Sequence, residues 1–75
     1  MWEPAVAVGQ RIAELRTAKH LSREKLSRLA DCSSHTVRRI EVDGHEPGLR
    51  VLRSIASALE VSVTELLSED DGAAA

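Results

Sequence analysis

Apolar residues recur along this chain at the three- and four-residue intervals of an α-helix, in five short blocks, and nowhere in the alternation of a half-buried strand. Val8, Ile12 and Leu15 form the first block, with Arg11, Glu14 and Arg16 between them. They predict a helix from about Val8 to Lys19, ended by His20. Leu26, Leu29 and Ala30 supply the inner side of a second helix, for which Ser22 is a good N-cap and Glu24 complements the dipole of the first turn. Asp31-Cys32-Ser33 makes a turn, and Ser33 can cap a third helix that turns Val37 and Ile40 inward, closed by Gly44 and Pro47. Leu49, Leu52, Ile55, Ala56 and Leu59 give the clearest stripe, entered through Pro47-Gly48. Ser62-Val63-Thr64-Glu65 has the form of a capping box, and Val63, Leu66 and Leu67 are the apolar side of a fifth helix. The expectation is an all-α domain of five short helices.

Size and composition narrow what such a domain can do. With 75 residues the chain forms one small domain. Phe and Tyr are absent and Trp2 is the lone aromatic, so the core must be aliphatic. A core of that size leaves a narrow stability margin, which a dimer interface would widen. One cysteine, Cys32, allows neither an internal disulfide nor a cysteine-rich zinc site, and His20, His35 and His45 form no metal motif with the acids. No apolar run is long enough to span a bilayer, and MWEPAVAVGQ lacks the positive start of a signal peptide. A cytoplasmic protein is expected, with no cofactor and no metal. Catalysis is disfavoured: there is no Ser–His–acid set with plausible geometry, no phosphate-binding loop and no glycine-rich nucleotide fingerprint.

The formal net charge of −2 argues against a nucleic-acid partner until position is considered. All ten Lys and Arg lie between Arg11 and Arg53, against six acids in that span, which leaves +4 there. The other six acids are Glu3, Glu60, Glu65, Glu69, Asp70 and Asp71. A basic body is flanked by acidic ends. Within that body, residues 21–47 read as two short helices across a tight turn, the second bearing Ser33-Ser34-His35-Thr36 and then Arg38-Arg39. A short helix with polar and basic residues toward its N-terminal end fits the major groove of DNA, where it can meet base edges and phosphates together.

Residues 8–67 resemble the Cro/C1-type (XRE-like) helix-turn-helix domain, through VGQRIAELR, LSREKLSRLA, SSHTVRRIE and GLRVLRSIASALEVSVTELL in order. The resemblance implies a lambda-repressor-like five-helix fold with the helix-turn-helix at helices two and three. The chain then divides into an N-terminal arm (1–7), the DNA-binding domain (8–68) and an acidic, alanine-rich tail (69–75) whose composition predicts disorder. The resemblance also implies base contacts from Ser34, His35, Arg38 and Arg39, and phosphate contacts from Arg23, Ser33, Thr36 and Arg50, with His45 a weaker candidate. Arg16 and Glu41 match the positions of a structural ion pair between the first and third helices; an exposed carboxylate at Glu41 would repel phosphate. Cys32 falls where such turns hold an apolar residue, so a small hydrophobe is expected rather than a redox sensor.

Two departures from the family pattern stand out. His20, Asp31 and Asp43, the last followed by Gly44, stand where such domains often place glycine. His and Asp enter the left-handed region at a cost of about 1 kcal/mol relative to Gly. Arg23 replaces a frequent Gln at the start of the second helix, which would make a phosphate bond there charge-assisted.

The resulting expectation is a sequence-specific regulator that binds double-stranded DNA as a homodimer, through the C-terminal helix region (Val61, Val63, Leu66, Leu67), on a two-fold related operator. It would be cytoplasmic and nucleoid-associated. The alternative is a protein-binding antitoxin or anti-regulator module that uses the same fold and the acidic tail to hold a protein partner.

Overall fold

The computed structural model describes residues 4–67, with side chains described from Val8 onward. Trp2, Glu3 and the acidic tail lie outside the described residues. The helices are α1 (Pro4–Ala18), α2 (Arg23–Leu29), α3 (Ser34–Val42), α4 (Leu49–Leu59) and α5 (Val63–Leu67). There is no strand among the described residues. Helix α1 starts at Pro4 rather than near Val8, so part of the expected arm is helical. A proline suits that place, because its fixed φ matches the first turn and its missing N–H would have had no helical partner.

The helices close a ring of contacts: α1 packs on α3, α3 on α2, α2 on α4, α4 on α5, and α5 back on α1. At its centre Ile12, Leu26, Val37, Ile40, Ile55, Leu59 and Leu66 are fully buried, with Val8, Ala30, Leu52 and Ala56 around them. The core is aliphatic throughout. Burying a side chain of this kind contributes about 1.5–3 kcal/mol, and every helix supplies at least one.

Three of the stripe residues are not where spacing alone puts them. Leu29 is exposed. The inner side of α2 is made by Leu26, Ser27 and Ala30, and Leu29 lies about a third of a turn away from their centre. Ser27 is tolerated inside because its hydroxyl donates to the Glu24 carbonyl at 2.7 Å. Leu49, the first residue of α4, and Leu67, the last of α5, are also more than half exposed. Periodicity identifies a side of a helix; it does not say how far the opposing surface extends along it.

Three of the helices end in the same way. The N–H groups of His20, Asp31 and Glu60 donate to Thr17, Arg28 and Ser57, and those of Leu21, Cys32 and Val61 reach back to Arg16, Ser27 and Ala56. This is the Schellman pattern, in which a left-handed residue precedes the returning N–H and a hydrophobe commonly carries that N–H. His20, Asp31 and Glu60 take that conformation, at φ 60°, 58° and 62°. Leu21, Cys32 and Val61 are the half-buried hydrophobes that follow. Helix α3 ends differently. Asp43 stays right-handed at φ −93° and the left-handed residue is Gly44, at φ 72°. The expected strain at Asp43 is therefore absent, because glycine occupies the strained position.

Candidate nucleic-acid interface

Helix α3 is fixed at both ends and along one side before any ligand arrives. At its start the Ser33 hydroxyl oxygen accepts from the Thr36 N–H at 3.1 Å and also bonds the Thr36 hydroxyl at 2.9 Å. Ser33 and Thr36 are thus engaged with each other, and each hydroxyl keeps capacity for a further bond. On the inner side, Gly9 of α1 lies so close to α3 that a β-carbon there would collide with the Ile40 carbonyl oxygen. Glycine in a helix interior costs about 1 kcal/mol relative to alanine. That cost was a readable signal for a close approach, and sequence reasoning passed over Gly9.

Near the other end of α3 stands Glu41, whose side chain is only 1% exposed. Arg16 of α1 grips both its oxygens, Nε to Oε2 at 2.8 Å and Nη2 to Oε1 at 3.1 Å. The remaining Arg16 nitrogen, Nη1, donates to the Leu21 carbonyl at 2.8 Å, which ties the α1–α2 connection into the same joint. A second guanidinium shares the carboxylate: Arg23 Nε donates to Oε1 at 2.8 Å. One buried carboxylate between two arginines leaves a local charge of +1. Its two oxygens together receive three charge-assisted donors, which offset the desolvation cost.

The outer face of α3 is different. Ser34, His35, Arg38 and Arg39 are all exposed. Ser34, His35 and Arg38 make no side-chain hydrogen bond to the described residues, whereas Arg39 donates from Nη2 to Nδ1 of His45 at 3.4 Å. Val42 shares this outward side and is half exposed. The structure gathers these side chains on one helix. Arg23 is 42% exposed and sits at the Glu41 joint. Arg50, also exposed, lies in the first turn of α4 behind the N-cap Gly48. His45 lies in the loop between α3 and α4, against Arg39.

An open depression of about 450 Å³, not an enclosed chamber, lies beside the end of α3, lined by Gln10, Ala13, Ile40, Glu41, Val42, Asp43 and Gly44. Its best-placed carboxylate, Glu41, is already consumed by two arginines. Among the described residues no group of three His, Cys, Asp or Glu could hold a metal, and no helix is long and apolar enough to cross a membrane. Cys32 is half-buried, and burial together with the neighbouring Asp31 carboxylate pushes its thiol pKa up. A protonated thiol is a poor nucleophile, so its part here is to pack beneath the turn.

The Helix-turn-helix family matches residues 12–66, which span α2, α3 and α4 whole, the C-terminal part of α1 and nearly all of α5. The chain belongs to the Cro/C1-type helix-turn-helix family. It is 32% identical over 65 residues to the immunity repressor protein of Bacillus phage phi105, covering 87% of this chain and 45% of that one. The chain thus spans less than half the length of that curated relative. The restriction–modification controller protein C.AhdI from Aeromonas hydrophila superposes with a TM-score of 0.79 at 37% identity, covering 83% of this chain and 94% of the controller. The P22 c2 repressor, solved in complex with a synthetic operator, gives a TM-score of 0.77 at 25% identity, covering 84% of this chain and 96% of the repressor. By fold and kinship the chain carries the helix-turn-helix domain found in a phage repressor and a restriction–modification controller protein. α2 and α3 are the helix-turn-helix pair, and Asp31-Cys32-Ser33 is the turn between them.

Proposed function

We propose that this helix-turn-helix protein is a sequence-specific DNA-binding transcription regulator that inserts α3 into the major groove. The observation that carries this reading is the outer face of α3: Ser34, His35 and Arg38 lack partners among the described residues, on a helix that Glu41, Ser33 and Gly9 hold rigidly from behind. Arg38 can donate bidentately to guanine, Ser34 and His35 offer more permissive contacts, and Arg39 joins them once it leaves His45. Ser33, Thr36, Arg23 and Arg50 are the phosphate ligands of this reading, helped by the +4 charge between Arg11 and Arg53. That the P22 c2 repressor was solved with an operator supports it by kinship.

A dimer on a two-fold related operator would place two copies of α3 in successive major grooves, with half-sites about 34 Å apart. Leu66 is spent in the monomer's own core, so it leaves the expected dimer surface. Val61, Val63 and the exposed Leu67 remain on it. Such a regulator works in the cytoplasm, on the nucleoid.

Selection of duplexes from a random pool, followed by binding isotherms in a salt series, tests the proposal. Affinity is expected to fall steeply with salt, with a slope of about 0.9 per phosphate contacted. Arg38→Ala is expected to reduce the preference for the selected duplex over random DNA by about 1–3 kcal/mol. Absence of duplex binding at low salt would refute the reading.

A further inference from the structure

Arg23 stands at a position where its guanidinium is both anchored and open. Its Nε is bonded to Glu41, yet 42% of the side chain remains accessible and its terminal nitrogens donate to no described residue. Glu41, in turn, cannot swing away: it is buried, and Arg16 holds both of its oxygens from the α1 side. On α3, Ser34, Arg38 and Glu41 follow at i, i+4 and i+7, which puts them on one row of the helix. A guanidinium seated on Glu41 therefore extends the Ser34–Arg38 row and joins it to the first turn of α2.

We infer that Glu41 is a positioning residue for DNA binding: its carboxylate holds Arg23 in a fixed orientation that presents the free terminal nitrogens to a backbone phosphate beside the groove that α3 enters. The inference rests on the reading of α3 as a DNA-inserting helix. Its chemistry is that of a relay of donors and acceptors. The carboxylate accepts from Nε on one edge of the guanidinium, and the opposite edge donates to the phosphate. Because Arg23 is already immobilised, docking loses less side-chain freedom than it would with a free arginine. An acid is thus useful next to a polyanion, since its own charge is covered on both sides by arginine.

The two roles open to an acid at this place predict opposite signs. A carboxylate that acts on DNA only through its charge repels phosphate, and neutralising it raises affinity. A carboxylate that orients Arg23 helps, and neutralising it lowers affinity. Fluorescence anisotropy with a short labelled random-sequence duplex, across a salt series, compares the wild type with Arg23→Ala, Arg23→Lys, Glu41→Gln and the Arg23→Ala/Glu41→Gln double variant.

Arg23→Ala is expected to bind roughly fivefold to tenfold more weakly at low salt and to lower the slope by about 0.9, the share of one phosphate. Arg23→Lys keeps the charge and the slope but loses the planar, anchored donor, and is expected to bind about threefold more weakly. Glu41→Gln is expected to weaken binding in the wild-type background by at least about threefold more than in the Arg23→Ala background, a coupling that a double-mutant cycle isolates. A purely structural effect through Arg16 and α3 would be the same in both backgrounds. Equal losses in the two backgrounds, or a gain on neutralisation, overturn the inference.

If Glu41→Gln fails to fold, as its melting curve would reveal, the lysine variant decides. Wild-type affinity in Arg23→Lys overturns the inference and a loss at unchanged slope supports it. Wild-type protein that shows no salt-dependent duplex binding defeats the DNA reading itself. Wild-type binding with an unaffected Arg23→Ala defeats only the role given to Glu41 and Arg23.

Discussion

On its inner side α3 sets Val37 and Ile40 among aliphatic side chains of the other helices, and Gly9 of α1 lies directly against the Ile40 carbonyl. On its outer side Ser34, His35 and Arg38 touch no polar partner among the described residues. Nine residues thus carry a buried, packed surface and, one face away, a surface on which Ser34, His35 and Arg38 keep their donors free. The first makes the second useful. A groove-binding face is specific only if its side chains start from a fixed frame, and here the frame comes from contacts on the opposite side of the same helix.

The largest expected effect lies on the inner side of α3. Gly9→Ala is expected to lower stability by about 1–3 kcal/mol. The gain in helix propensity, about 1 kcal/mol, is outweighed because the colliding atom is a backbone carbonyl that moves only if α3 moves. Thermal denaturation checks the loss. An unchanged or raised melting temperature would mean that α1 and α3 separate more easily than this geometry allows. A smaller effect belongs to the start of α3. Ser33→Ala removes the cap on the Thr36 N–H and should cost about 1 kcal/mol in the same measurement. The smallest belongs to the outer face: Arg38→Ala should leave stability within about 0.5 kcal/mol of wild type. If Arg38→Ala destabilised the fold as much as Ser33→Ala, the separation between a structural side and a free side of α3 would be wrong.

The Glu41 joint shows how a single contact can belong to both surfaces. Arg16 is 12% exposed on the carboxylate and Arg23 is 42% exposed on it, so one arginine faces the core and the other the solvent. Family resemblance pairs Arg16 with Glu41 and sends Arg23 to phosphate as a separate matter. The structure puts all three on one carboxylate. No spacing rule links positions 16, 23 and 41, because their meeting depends on how three helices cross.

Much of the fold was legible because local chemistry and packing agree. Ser22 and Ser33 cap α2 and α3, accepting from Lys25 and Thr36. Ser62 and Glu65 form the reciprocal capping box at α5, at 3.3 and 3.1 Å. These bonds span three residues of sequence, so the sequence contains both partners side by side. The misreadings have the opposite character. Leu29, Leu49 and Leu67 have the right spacing for burial, but burial requires an opposing surface supplied from elsewhere in the chain. Glu60 takes a left-handed conformation usually left to Gly or Asn, since the Schellman turn and the half-buried Val61 require it. Nothing in a glutamate announces that.

From the residues alone came the number and order of the helices, the serine N-caps of α2, α3 and α5, the aliphatic core and the concentration of positive charge between Arg11 and Arg53. Those properties follow from neighbours within one or two turns and from composition. Helix packing was needed to press Gly9 on the Ile40 backbone, to seat Leu66 deep in the core and to bring two arginines to Glu41. Each of these depends on groups far apart in the chain, brought together by the ring of helices, where distance and shared solvent exclusion set which contact forms.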